Sequence, residues 1–230
     1  MDKKETALKY LSRDALQHVD MSEAIKRGLC SIDYAAPDGV KLSLEETVML
    51  SCDSEEAALR LISGSEKQHY LCLHQPEFAE ALCSGRGYKI DNRCWTAAYL
   101  GEPFEELGED VRILGMEQLD EVASMYALHD RAYLGWLIER KIMMGAFVDG
   151  QLAGFIGKHK EGAQGLLFVR PEYRRMGLAA ALERRYINYD LSLGNIAYGH
   201  IIVGNTASRA LQQSLGLSFA DKDVQWMTRA

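Results

Sequence analysis

Apolar and polar positions in this chain run through one succession of periods, and then run through it again. In the first pass, Lys3 to Gly28 is rich in helix formers and stops on a glycine, which predicts one or two short helices. Leu29–Tyr34 and Val40–Leu44 flank Pro37-Asp38-Gly39 and predict a hairpin. Thr47–Cys52 reads as a further strand, after which Asp53 is expected to cap a helix, with Glu56 three residues on. Tyr70–Leu73 reads as a strand. Pro76 should open a helix through Leu82 that Gly85 closes, and a last strand surrounds Trp95.

The second pass starts with a strand at Val111–Leu114. Two amphipathic helices follow, Met116–Leu128 and Asp130–Met143. Ala146–Val148, an Asp149-Gly150 turn and Leu152–Gly157 predict a second hairpin. A strand at Gly165–Val169, a helix from Gly177 to Tyr189, a strand at Tyr198–Val203, a helix capped by Asn205 and closed by Gly216, and a strand around Trp226 complete it. Gly85 and Trp95 are ten apart, as are Gly216 and Trp226, and each Trp follows a polar stretch read as a turn (Asp91-Asn92-Arg93 and Asp221-Lys222-Asp223). The chain therefore reads as a diverged tandem repeat. Hairpins mixed with single helices predict an α+β fold, with a mixed, partly antiparallel central sheet flanked by helices.

With 230 residues there is length for one large domain or two small ones, each with a core. No apolar run approaches the ~20 residues that cross a bilayer. The start, MDKKETALKY, lacks the apolar stretch of a signal peptide, so a cytoplasmic protein without a membrane partner is expected. Five cysteines, an odd number with no CxxC pair, argue against a zinc site or disulfide framework and for small buried hydrophobes; no metal is expected.

The net charge of −7 makes a nucleic-acid partner a poor expectation. Positive charge is nevertheless concentrated at Arg170, Arg174, Arg175, Arg184 and Arg185, either as a solvated helix face or as a seat for a polyanion. There, Leu166–Val169 leads through Pro171 into Gly177 and the small Ala179, Ala180 and Ala181. A helix start with unpaired N–H groups, little side-chain bulk and flanking arginines suits a diphosphate. Neither GxxxxGK[ST] nor GxGxxG is present.

The segment Val169-Arg170-Pro171-Glu172-Tyr173, then Arg174-x-x-Gly177-x-Ala179, resembles the [Q/R]xxGx[G/A] motif of GNAT N-acetyltransferases. Asn205-Thr206-Ala207-Ser208 followed by Leu215-Gly216-Leu217 is similar to that family's closing segment. The resemblance spans Val111 to Trp226. It implies acetyl-CoA as co-substrate, in a gap between the strand ending at Val169 and the strand at Tyr198–Val203. Backbone at Phe168 and Val169 would meet the pantetheine arm. N–H groups of Arg175, Met176, Gly177, Leu178 and Ala179 would hold the pyrophosphate with Arg174, and Asn205 and Ser208 would line the CoA arm.

Residues 109–230 are then the acetyl-CoA-binding domain. Residues 1–108 are a degenerate GNAT-like copy, since Asp53-Ser54-Glu55-Glu56 stands where phosphate would bind and repels it. The arrangement looks like tandem GNAT proteins and the glycine N-acyltransferase-like branch. The implied reaction is direct acyl transfer to a primary amine of a small molecule or amino acid. Alternatives are a protein or peptide N-acetyltransferase and a non-catalytic acyl-CoA-binding regulatory module; a monomer or homodimer fits each.

Many family members protonate the leaving thiolate with a tyrosine, and the matching position here is Gln212. In Lys158-His159-Lys160-Glu161, Glu161 is the first candidate for general base and His159 the second. Tyr126, Tyr133 and Trp136 are candidates for the acceptor pocket, or simply core.

Overall fold

The structure is a computed structural model that describes residues 2–65 and 68–229. In chain order the first pass is α1 (Lys3–Leu11), α2 (Val19–Lys26), β1 (Ser31–Ala36), β2 (Gly39–Leu44), β3 (Thr47–Cys52), α3 (Glu55–Leu61), β4 (Tyr70–Leu73), α4 (Ala79–Arg86) and β5 (Tyr88–Tyr99). The second is β6 (Val111–Ile113), α5 (Leu119–Met125), α6 (Arg131–Glu139), β7 (Met143–Val148), β8 (Gln151–Lys158), β9 (Gln164–Val169), α7 (Leu178–Ser192), β10 (Ala197–Ile202), α8 (Thr206–Ser214) and β11 (Ser218–Arg229). Two helices, a hairpin, a strand, a helix, a strand, a helix and a 12-residue strand thus recur in one order. The fold is α+β with a mostly antiparallel sheet, as the patterning predicts.

The chain forms two compact units. One holds the residues up to Ala98 together with Tyr198–Ala210 and the stretch from Leu217; the other holds Tyr99–Ala197 and Leu211–Gly216. In the first unit the strand order is β1-β2-β3-β4-β11-β5-β10. The last strand of the chain lies between β4 and β5 and is antiparallel to both. β5 and β11 face each other end to end, with Arg229 opposite Tyr88 and Ser218 opposite Ala98. In the second unit the order is β9-β8-β7-β6, antiparallel throughout.

Period-2 alternation explains the first interior, and in the second a bulge at Ala153 of β8 shifts its phase. In β3, Val48, Leu50 and Cys52 face α3 and α4, while Met49 faces α1 and α2. In the second unit Phe155 and Leu152 face α5 and α6, and Ala153 and Ile156 face Leu178, Leu182 and Tyr186 of α7. The cysteines are free; Cys52, Cys72 and Cys94 are core residues, as expected.

A polar network lies inside the first unit. His74 Nε2 is 2.9 Å from Asp20 Oδ1, and its Nδ1 is 3.2 Å from the Leu50 carbonyl. A ring between two acceptors must carry both protons. Burial opposes that charge, and the Asp20 carboxylate outweighs it and raises the His74 pKa. His200 Nε2 stands 3.3 Å from the same carboxylate, and Trp226 Nε1 donates to His200 Nδ1.

Several local expectations are corrected. Ser54, not Asp53, caps α3 by accepting from Ala57 N, because Asp53 is drawn off by Tyr10 and Arg13. Gly87, at φ 70°, rather than Gly85, closes α4. The polar stretches before Trp95 and Trp226 are not turns: ladder pairing carries them through β5 and β11. The predicted Asp130–Met143 helix ends at Glu139, where Lys141 takes a left-handed φ of 57°, and Met143 begins β7.

Candidate functional site

At Val169 the strand β9 gives way to Arg170 and a single 3₁₀ turn, Pro171–Tyr173. Arg174 is extended, and Arg175 and Gly177 are left-handed at φ 63° and 81°. The chain then enters the 15-residue α7, and no side chain caps its first N–H groups. A Cβ on Gly177 would meet nothing within 4 Å, so glycine is required there by backbone conformation rather than by crowding. Arg174, Arg175, Met176 and Gly177 are exposed, Ala179 is half-buried and Leu178 is anchored in the core.

The five arginines divide into two sets. Arg170 pairs with Glu121, Arg184 with Glu109 and Arg185 with Glu106. Among the described residues no carboxylate pairs with Arg174 or Arg175; Arg174 Nε donates to the Val169 carbonyl, 3.2 Å away. Positive charge is neutralised along the flank of α7 and left available at its start. The N-terminus of α3 is the reverse: Ser54 occupies it and Glu55 and Glu56 fill its first turn.

β9 carries a bulge. Phe155 is opposite Phe168 and Gly157 opposite Gly165, so Leu166 and Leu167 together face Ile156. Leu166 has φ 54°, uncommon for a side-chain-bearing residue. Such a bulge takes backbone N–H groups out of the ladder beside the residues read as coenzyme-facing.

Phe168 joins the candidate acceptor residues. Its ring lies 5.5 Å from Phe155 and 6.4 Å from Tyr126. Tyr126 stacks on His129 at 5.9 Å, His129 lies 4.6 Å from Tyr133, and Tyr133 stacks on Trp136 at 6.3 Å. His159 meets His129 edge-on at 6.0 Å and lies over β9, where a Cβ on Gly165 would collide with its ring. Tyr126, Tyr133, Trp136, His159 and Phe168 therefore form one chain of rings. His129, which the sequence reading missed, is its centre; the Leu128-His129-Asp130 loop offered no periodic signal. Burial, and then the neighbouring His159, lower the His129 pKa.

Glu161 sits in the turn between β8 and β9, which is closed by His159 N to Ala163 O and Gly162 N to His159 O. Of the two flanking lysines, Lys158 is buried in an ion pair with Asp190 of α7, to which Gln164 also donates at 3.2 Å. Lys160 Nζ lies 5.4 Å from the Trp136 ring. Val169 packs on the α7 side of the sheet. Asn205 and Ser208 lie in the first unit, where Asn205 Oδ1 caps α8 by accepting from Ser208 N.

Residues 87–217 match the model of the Acetyltransferase (GNAT) family. No curated protein matches the sequence. Among solved structures, a Drosophila protein aligns with a TM-score of 0.63 at 18% identity, covering 84% of this chain and 73% of its own. A GCN5-related N-acetyltransferase from Sphaerobacter thermophilus aligns at 0.61 and 14% identity, covering 99% and 93%. A putative GNAT-family acetyltransferase from Novosphingobium aromaticivorans aligns at 0.56 and 19%, covering 89% and 93%. At these identities the likeness is one of fold.

Proposed function

The chain belongs to the GNAT acetyltransferase family and is an acyltransferase; we propose that it moves an acetyl group from acetyl-CoA directly to a primary amine of a small molecule or amino acid. The observation that carries the coenzyme assignment is the division of the arginines: only Arg174 and Arg175 keep their charge for a ligand, beside an uncapped helix start. The N–H groups from Arg175 to Ala179 would bind the pyrophosphate, and backbone at Phe168 and Val169 the pantetheine arm. No helix among the described residues is long and apolar enough to cross a membrane, which fits action in the cytoplasm.

In this reading the amine loses a proton to Glu161, or to His159, and attacks the thioester carbon. The carbonyl oxygen becomes an oxyanion that an N–H group of the β9 bulge can stabilise. The C–S bond then breaks. The ring chain from Tyr126 to Trp136 bounds the acceptor, and no step calls for a metal. Residues 109–230 would supply the coenzyme chemistry and residues 1–108 a degenerate copy, whose capped and acidic α3 start disfavours phosphate.

Incubating the protein with acetyl-CoA and an amine library, followed by mass spectrometry, tests this. A small-molecule amide supports the proposal. A modified peptide moves the acceptor to protein. CoA binding with no product from either would make the chain a binding module, the outcome that Gln212 in place of a tyrosine favours.

A further inference from the structure

His159 and Glu161, the two groups assigned to the base, stand on the turn between Lys158, the last residue of β8, and Gln164, the first of β9. Those two end residues are ladder partners, and both extend their side chains to one carboxylate on α7. Asp190 Oδ1 is ion-paired with Lys158 Nζ, and Asp190 Oδ2 accepts from Gln164 Nε2 at 3.2 Å. A second tie lies one helical turn earlier. The Tyr186 hydroxyl donates to the Ile142 carbonyl at 2.9 Å, and the same carbonyl accepts from Lys158 N at 3.2 Å. Lys158 Nζ also lies 5.3 Å from the Tyr186 ring.

The turn closes without this ion pair. His159 N to Ala163 O and Gly162 N to His159 O hold it, at 2.9 Å each. α7 also packs without it, since Leu178, Ala181, Leu182 and Tyr186 bury their apolar faces against Ala153, Ile156 and Val169. Lys158 is 7% exposed and Asp190 0%, and taking two charges out of water can cost more than their attraction returns. What the pair adds to packing is a fixed point.

That point has a defined place on the helix. α7 begins shortly after β9 ends, and its Asp190 reaches back to the residue at which β9 begins. Strand and helix therefore run antiparallel, side by side. Asp190 lies twelve residues beyond Leu178, about 18 Å along the axis. The start of α7 is the seat assigned to the coenzyme phosphates, so one rigid helix sets the distance from that seat to the turn.

We propose that Asp190 is a positioning residue for acyl transfer: by holding Lys158 and Gln164, it fixes the turn that carries the base against the helix that carries the coenzyme. The proposal rests on the acyltransferase reading above and on its assignment of the base to this turn. Acyl transfer needs the amine, its base and the thioester carbon in register, and a displacement of about 1 Å can cost roughly 100-fold in rate.

Two variants of the full chain test it, with acetyl-CoA and an amine that the wild type acylates. Asp190→Asn keeps the shape of the side chain and removes its charge. Its kcat should fall by roughly 10–100-fold, while CoA affinity by calorimetry and the acceptor KM stay within about threefold. Hydrogen exchange should quicken at the amides of His159 and Gly162 and not in the middle of α7. Lys158→Met with Asp190→Leu replaces the pair by apolar side chains. It should melt near the wild-type temperature, as such replacements of buried pairs often do, and still show the lower kcat and the faster exchange. It carries the test if the single variant does not fold.

The proposal is overturned if either folded variant keeps wild-type kcat, if either loses CoA affinity in place of turnover, or if kcat falls with no change in exchange at the turn. Failure of the base assignment reads differently: Glu161→Gln and His159→Ala would then both keep wild-type turnover. A wild-type protein that binds CoA and acylates no amine overturns the transferase reading itself.

Discussion

Replacing Arg174, Arg175, Arg184 and Arg185 in turn with glutamine should separate the charges that hold the coenzyme from those that hold the protein. Among the described residues, Arg175 is exposed, sits at φ 63° and has no carboxylate partner, and Arg174 reaches only a backbone carbonyl. A charge-assisted hydrogen bond to phosphate contributes about 1.5–3 kcal/mol, with an exposed site at the lower end. At about 1.4 kcal/mol per tenfold, Arg174→Gln and Arg175→Gln should each weaken CoA binding by roughly tenfold. Their combined loss should depart from the product, since both act on one ligand group. Glutamine keeps side-chain bulk and inherits the same backbone strain, so the melting temperature of the free protein should hardly move.

Arg184→Gln and Arg185→Gln remove equal charge about two turns further along the helix. Both arginines already face carboxylates, Glu109 and Glu106, so their guanidinium groups are committed. Those variants should change CoA affinity by less than about threefold and cost stability of the order of surface ion pairs, roughly 0–1 kcal/mol each. Calorimetry at 50 and 200 mM salt reads both effects, since loss of a phosphate contact also flattens the salt dependence. If Arg184→Gln weakens CoA as much as Arg175→Gln, the phosphates lie along the helix flank and the division of arginines is not what defines the site.

Calorimetry should find one CoA per chain, because Ser54, Glu55 and Glu56 occupy the α3 start; two sites of similar affinity would contradict the degenerate-copy reading. Glu161→Gln should lower turnover by ~100-fold while CoA binding persists; if that loss appears only in His159→Ala, the base is the imidazole in the ring chain. His74→Gln should destabilise the fold by about 3–5 kcal/mol at pH 6 by leaving Asp20 buried without its cation. Because the folded His74 pKa is raised, the wild type holds this contribution in full below the unfolded value of ~6.5 and loses it as pH rises through the folded value. The gap between wild type and variant in urea unfolding should therefore narrow toward pH 8.5, and a gap that widens there would refute the pairing.

What the sequence determined by itself was local. Pro37-Asp38-Gly39 dictates a hairpin through turn chemistry, and it is there. Arg174 to Ala179 dictates a helix start open to an anion, because glycine and small residues leave backbone N–H groups uncovered. The recurring order of elements was legible because strand alternation, helix periodicity and turn chemistry are local. Choices among partners distant in sequence were not legible. Asp53 and Ser54 are equally good caps in isolation, and Arg13, forty residues away, removed one of them from the competition. β11 lies between β4 and β5 because a strand's ladder groups specify pairing but not with whom. Five arginines in one stretch look alike until Glu106, Glu109 and Glu121 claim three of them. Glu183, on the sequence an ordinary helix glutamate, has its carboxyl pushed up to about 7 only by the burial that the tertiary packing imposes.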